Sequence, residues 1–268
     1  MIKPMRNETL SPSDAAALRL YDPRTREPER LLADLQKNVS DPNRAAFAAF
    51  DDSMITGFFA FDCSEEQYLV MTEWLCTSER DVREMLALLR ERFSGYTVEF
   101  SLRPDERILH ALLIECGATV FPEQQNMRLA GPVPQTDTRG IEPLSEPYLS
   151  QYVALHENSD AFLDGEEIAA KPETCRALLA IENGTVLGYL DLTRWEKSTN
   201  VSDLYVDEAH RNRGCGARLL AKAIELTRPD ELTLQVDVDN PAAIHLYEKM
   251  GFTVIPGRNC IDALWEIP

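Results

Sequence analysis

Basic residues are scarce in this chain: 27 Lys and Arg stand against 45 Asp and Glu, for a formal net charge of −18. Nucleic-acid phosphates require a basic footprint, so that class of partner is excluded. The acidity agrees with a cationic partner such as an amine, and equally with solubility alone. Long apolar runs are absent as well. None approaches the roughly 20 residues that span a bilayer, and the opening "MIKPMRNETLSPSD" lacks the apolar core of a secretory signal. Six cysteines are scattered without a CxxC pair, which argues against a zinc cluster or a disulfide framework. His156, His210 and His245 show no ligand-like spacing, so no metal is expected. These absences describe a cytoplasmic protein with reduced thiols and no membrane partner, a monomer or a homodimer.

What is present is a core and a repeat. The 44% hydrophobic content suits a globular chain, and 268 residues allow two ordinary domains. "CGATVFP" (116–122) and "MGFTVIP" (250–256) share Gly, Thr, Val and Pro at an offset of 134, half the chain. The same offset, without gaps, lays "DERILHALLIECG" over "NPAAIHLYEKMG". Each half reads as mixed α/β. In the second, a strand "GIEPL" precedes a helix opening at Ser145. "CRALLAIENGTVLGYLDLTRW" is a hairpin turning at Asn183-Gly184, and "NVSDLYVDE" is a third strand. A helix from "GCGARLL" to the stop at Pro229, a strand "ELTLQVDVD" and a helix "PAAIHLYEKMG" follow. "FTVIP" and "IDALWEI" close this half. The first half repeats the order from "AAFAAFDD" to "NMRLA". The polar stretch 131–140 reads as a linker, which sets domains at 1–131 and 132–268.

At "RNRGCGARLL", from Arg211, a strand runs through two glycines into a helix. The first amides of a helix lack intrahelical partners and carry partial positive charge, which suits an anion. Gly214 and Gly216 admit a phosphate oxygen to the backbone, and Arg211 and Arg213 add charged donors. A Walker loop is excluded by the missing Gly-Lys-Ser/Thr ending. The dinucleotide fingerprint fails because Leu219 stands where its third glycine belongs.

Arg211-x-x-Gly214-x-Gly216 resembles the pyrophosphate loop of the GCN5-related N-acetyltransferase superfamily. "NPAAIHLYEKMGF" (240–252) resembles that family's later Asn-x-x-Ala-x-x-Leu-Tyr-x-x-x-Gly-Phe motif. The likeness is specific over 184–252 and looser beyond. It implies two tandem domains, each a mostly antiparallel twisted sheet flanked by helices, the first degenerate. It implies acetyl-CoA as cosubstrate, with Arg211, Asn212, Arg213, Gly214, Cys215, Gly216 and Ala217 on the diphosphate. The strand holding Leu204, Tyr205 and Val206 would splay from its neighbour and offer amides to the pantetheine arm, with Asn240 and Tyr247 completing the site.

The implied reaction is direct acetyl transfer to a primary amine of a small molecule or peptide. It needs a neutral nucleophile and a proton for the departing thiolate. Tyr247 matches the family's acid. Asp203 stands where the family often carries a base glutamate, as base or as supporting carboxylate, with Asp191 and Asp237 on neighbouring strands. Strand alternation sets Val201, Asp203 and Tyr205 on one face, opposite Leu204 and Val206. Cys215 presents its N–H rather than its thiol. An acyl-CoA-binding sensor without catalysis is the other reading. The expected acceptor region is 148–174, the strand through 191–197 and the loop "GRNCID"; its Glu157, Asp160, Asp164, Glu166 and Glu167 suit a cationic acceptor or simply a solvated acidic helix.

The offset sets Thr77, Arg80 and Val82 against Arg211, Gly214 and Gly216, and Leu69, Glu106 and Leu113 against Asp203, Asn240 and Tyr247. The first half thus keeps the apolar pattern and loses the polar site. Gly216→Val, which copies Val82, is expected to abolish cofactor binding without unfolding.

Overall fold

The computed structural model describes residues 1–6, 8–22, 24–159, 164–195, 198–227 and 231–268. In chain order the elements are β1 (Ile2–Pro4), α1 (Pro12–Leu18), α2 (Pro28–Ser40), β2 (Arg44–Asp51), β3 (Met54–Asp62), β4 (Tyr68–Leu75), α3 (Glu79–Arg92), β5 (Thr97–Leu102), α4 (Arg107–Glu115) and β6 (Thr119–Leu129). They continue with β7 (Ile141–Pro143), α5 (Leu149–His156), α6 (Gly165–Ala170), β8 (Cys175–Glu182), β9 (Thr185–Trp195), β10 (Ser198–Val206), α7 (Cys215–Thr227), β11 (Glu231–Asp237), α8 (Pro241–Lys249), β12 (Phe252–Val254) and β13 (Cys260–Glu266). The mixed, mostly antiparallel architecture expected from the sequence is present. The stop at Pro229 and the end of the 191–197 strand lie outside the described residues.

Two compact units divide the chain, at 1–123 with 260–268 and at 124–259. The boundary differs from the one read at the linker because the halves exchange their last strands. "ATVFP" and "NMRLA", read as two strands, form the single strand β6. Its second part lies antiparallel between β11 and β12 in unit 2. The C-terminal β13 instead pairs with β5 in unit 1, from Ile261 opposite Leu102 to Glu266 opposite Thr97. Element order alone does not say which sheet a closing strand joins.

In unit 1 the strands run β1-β2-β3-β4-β5-β13. Phe59, Phe61, Val82, Leu89, Phe100, Leu113 and Trp265 fill one face of this sheet. On the other face α1 and α2 bury Leu18, Leu31 and Leu35 against Ala48, Phe58 and Leu75. The sequence reading assigned no element to these two helices. The first begins in a reciprocal cap, with Ser11 and Asp14 each bonded to the other's backbone.

In unit 2 the strands run β6-β11-β10-β9-β8-β7. Helices α7 and α8 cover one face through Leu219, Leu220, Ile224 and Tyr247, packed with Leu190, Leu234 and Phe252. Helices α5 and α6 cover the other, burying Tyr152 and Ile168 against Leu179 and Tyr189. Strand β10 is parallel to β11 only from Ser198 opposite Glu231 to Val201 opposite Leu234. Past that point β10 stays with β9 while β11 continues along β6, so the two part.

A bulge between Val201 and Asp203 interrupts the pairing of β10 with β9. It puts Val201 on the α7 face with Leu204 and Val206, while Tyr205 packs on the α5 face. Plain alternation had grouped Val201 with Asp203 and Tyr205. One extra residue reverses the facing of everything beyond it.

Candidate active site

The loop between β10 and α7 makes a short 3-10 turn at Glu208–His210 and then enters left-handed backbone at Asn212, with φ of 62°, and Gly214, with φ of 79°. A side chain at Gly214 would meet nothing within 4 Å, so backbone conformation, not crowding, demands glycine there. The first amide bond of α7 runs from Arg218 to the Gly214 carbonyl at 3.1 Å. The N–H groups of Cys215, Gly216 and Ala217 precede it and face the loop. This concave run of amides fits an anion.

Gly216 has a different reason. A Cβ there would stand 3.0 Å from Cδ2 of Leu246, so this glycine lets α7 lie against α8. A larger side chain at 216 requires Leu246 to give way, so the expectation that Gly216→Val leaves the fold intact depends on that side chain moving. Burial raises the Cys215 thiol above its ordinary range, in keeping with a backbone role.

The two loop arginines differ. Arg211 donates through Nε to the Val206 carbonyl at 2.9 Å, and its guanidinium lies 5.7 Å from the Tyr205 ring centre. Arg213 is exposed and has no ion-pair partner among the described residues. Asn240 caps α8 by accepting from the Ala243 amide at 3.1 Å, which ties up its side-chain oxygen.

Where β10 leaves β11, the Asp207 amide points to the Leu187 carbonyl on β9. Strand alternation turns the amides of Leu204 and Val206 the other way, into the opening. The Leu204 amide is not idle there: it donates to Oδ1 of Asp203 at 2.8 Å.

Tyr247 is 7% exposed, edge-on to Phe252 at 6.0 Å between ring centres. Its hydroxyl has no hydrogen-bond partner among the described residues. Burial first, and then the negative charge of Asp203, push its ionisation above the ordinary phenol range, so it holds its proton. The two candidate catalytic residues thus share one electrostatic environment.

Behind Asp203 lies a polar network the sequence reading missed. The Tyr189 hydroxyl donates to Oδ2 of Asp203 at 2.5 Å. Asp191, 1% exposed, accepts from the Tyr152 hydroxyl and meets Nε2 of His156, each at 2.8 Å. Burial drives the Asp191 carboxyl upward, opposed by these hydrogen bonds. His156, Asp191 and Asp203 bring ligand atoms within 4.8 Å of one another, the geometry of a metal set. The hydrogen bonds just named already engage each of them. The spacing of Tyr152 and His156, one helical turn apart, was the available signal.

The remaining acidic candidates lie elsewhere. Glu157 and Glu166 edge an open groove of about 800 Å³ between α5 and α6, lined by Leu149, Val153 and Ala169. Asp164 and Glu167 form a reciprocal cap on α6. Asp160 lies outside the described residues. Asp237 accepts from Gln124 at 3.0 Å, and His245 is exposed.

Unit 1 has a parallel arrangement with altered contents. Strand β4 pairs with β5 only from Tyr68 to Val70, then parts from it. Its register on β3 also shifts, with Ala60 opposite Glu73 where β9 sets Asp191 opposite Asp203. Glu73, rather than Leu69, is therefore the counterpart of Asp203. It is 4% exposed and paired with Arg24 and Arg26. Trp74, the counterpart of Leu204, stands edge-on to Phe59 and Phe100. Three residues join β4 to α3 where eight join β10 to α7, so the gap-free offset fails across this loop. The Asp81 carboxylate, fully buried, accepts from Thr56 at 2.8 Å at the start of α3.

Residues 141–252 match the acetyltransferase (GNAT) family model. This match takes in most of unit 2. It is 35% identical over 77 residues to the N-alpha-acetyltransferase RimI of Mycobacterium tuberculosis, covering 27% of this chain and 49% of that protein. It is 34% identical over 97 residues to the L-amino acid N-acetyltransferase AaaT of Escherichia coli, covering 33% and 59%. The chain thus spans about half to three fifths of the length of these relatives. A GCN5-related N-acetyltransferase structure from Sphaerobacter thermophilus superposes with a TM-score of 0.56 at 17% identity, covering 99% of this chain and 96% of that one. A putative GNAT acetyltransferase from Novosphingobium aromaticivorans gives 0.52 at 18% identity, over 87% and 92%. These likenesses concern the fold. No helix among the described residues is long and apolar enough to cross a membrane.

Proposed function

We propose that unit 2 transfers an acetyl group from acetyl-CoA to a primary amine. The observation that carries this reading is the opened β10–β11 pair leading into the amide-lined loop before α7. Arg213 and the N–H groups of 214–217 would hold the diphosphate. The Leu204 and Val206 amides would hold the pantetheine arm, Leu204 by releasing Asp203. Acetyl-CoA supplies an activated acyl group, and the chain supplies protonation and placement. Asp203 takes the proton of an ammonium. Tyr247, kept protonated by burial and by the charge of Asp203, donates to the departing sulfur.

Relatives named for N-alpha and L-amino acid acetylation make an α-amine of an amino acid or peptide the leading acceptor. Thiol release from acetyl-CoA, measured with a panel of L-amino acids and short peptides, tests the proposal. Amine-dependent release supports it. Acetyl-CoA binding without release by any amine would instead establish the sensor.

A further inference from the structure

We propose that Tyr189 is a positioning residue for Asp203, and that with Ser159 it forms a hydroxyl chain whose hydrogen bonds reverse when Asp203 accepts a proton. The proposal rests on the acetyltransferase reading and deepens it.

The Tyr189 oxygen lies 2.5 Å from Oδ2 of Asp203 and 2.8 Å from Oγ of Ser159. Oγ of Ser159 is in turn 3.1 Å from the His156 carbonyl. A phenol has one proton and cannot donate to both neighbours at once. With Asp203 ionised, Tyr189 donates to the carboxylate and Ser159 donates to Tyr189. After Asp203 takes the ammonium proton, the neutral carboxyl donates to Tyr189, Tyr189 donates to Ser159, and Ser159 donates to the His156 carbonyl. One proton leaves the amine and one arrives on Asp203; the other two only change partners. In both states Tyr189 stays hydrogen bonded to Asp203 and to Ser159. A partly buried base otherwise leaves a polar group unmatched in one of them.

The Tyr189 ring is held for this task. It is fully buried and stacked on His156 at 4.1 Å and 13°, edge-on to Tyr152 at 5.2 Å, with Tyr205 beyond at 5.9 Å. Tyr152 and His156 are themselves fixed by Asp191. The titratable groups around Asp203 are thus Tyr189 and Asp191 from β9, Tyr152 and His156 from α5, and Tyr247 from α8.

The test compares wild type with Tyr189→Phe, using acetyl-CoA and the fastest amine of the panel, from pH 7 to pH 10. At pH 7 kcat/KM is expected to fall about ten- to hundredfold, part of the 10²–10⁴ that a whole base contributes. The gap should close as the amine becomes its own free base, with acetyl-CoA affinity unchanged throughout. A pH-independent loss, a loss of acetyl-CoA affinity, or no loss overturns the proposal. A double-mutant cycle of Tyr189→Phe with Asp203→Asn, read by urea unfolding, needs no turnover. Additive effects there overturn the pairing itself. A wild-type chain that acetylates no amine, while the cycle shows coupling, overturns the functional reading and the proton role together but leaves the pairing standing.

Discussion

Glu73 on β4 and Asp203 on β10 stand at the same position, each just past a one-residue shift in strand register. Asp203 is partly open and bonded to Tyr189, whereas Glu73 is sealed by Arg24 and Arg26. The counterpart of Asp203 in unit 1 is thus held between two arginines. With the loop before α3 shortened and Asp81 buried at that helix start, unit 1 shows no counterpart of the 207–214 loop among the described residues. Calorimetry should therefore give one acetyl-CoA per chain; two would contradict this assignment.

Gly214 and Gly216 are separable by experiment. Gly214→Ala meets open space but must hold a left-handed backbone, a strain of about 1–2 kcal/mol. If the loop yields, acetyl-CoA affinity should fall roughly tenfold, since 1.4 kcal/mol is one decade. Gly216→Val should lower the melting temperature as well, because it crowds Leu246. Equal melting temperatures for the two variants would refute the distinction.

Tyr247→Phe removes a hydroxyl that makes no hydrogen bond among the described residues. Stability should change by less than about 1 kcal/mol, while kcat falls by roughly 10²–10⁴. Because the raised ionisation keeps the phenol protonated, wild-type activity should show no basic limb from this group below about pH 10. Stopped-flow thiol release across pH would reveal such a limb.

Arg26 bonds Asp22, Asp34 and Glu73 while only 7% exposed. Arg26→Met leaves the buried Asp22 carboxylate without its cation and Glu73 with Arg24 alone, and should cost about 3–5 kcal/mol in urea unfolding. Acetyl-CoA affinity of the folded protein should remain as in wild type. A loss below 1 kcal/mol would show that the network contributes little.

Asp262 on β13 and Glu99 on β5 both have carboxyls raised by burial, with Asp262 adding to the rise at Glu99. The folded chain holds these protons to higher pH than the unfolded one. Their contribution is complete below the unfolded value of about 4 and is lost as pH rises through the folded values. Asp262→Asn should flatten that decline in melts between pH 4 and pH 8. An unaltered slope would count against it.

Much of this molecule is legible without coordinates. The hairpin at Asn183-Gly184, the strand "TVEFSL" and the helix opening at Pro241 follow from local turn chemistry and periodicity. The glycine loop is legible because bare backbone and arginines before a helix have few other uses. Less visible was the counterpart of Asp203, since a bulge and a shortened loop defeat a gap-free comparison. The Tyr189–Asp203 and His156–Asp191 pairs join residues far apart in the chain, and only the one-turn spacing of Tyr152 and His156 hints at them.

Sequence by itself determined most elements beyond residue 44, their order and the loop before α7, because these depend on neighbours within a few residues. Tertiary structure alone decided which unit receives β6 and β13, which face Val201 takes, and what surrounds Asp203. Those outcomes depend on register and on burial among distant segments, where one inserted residue or one interchangeable strand changes the result without altering local preference.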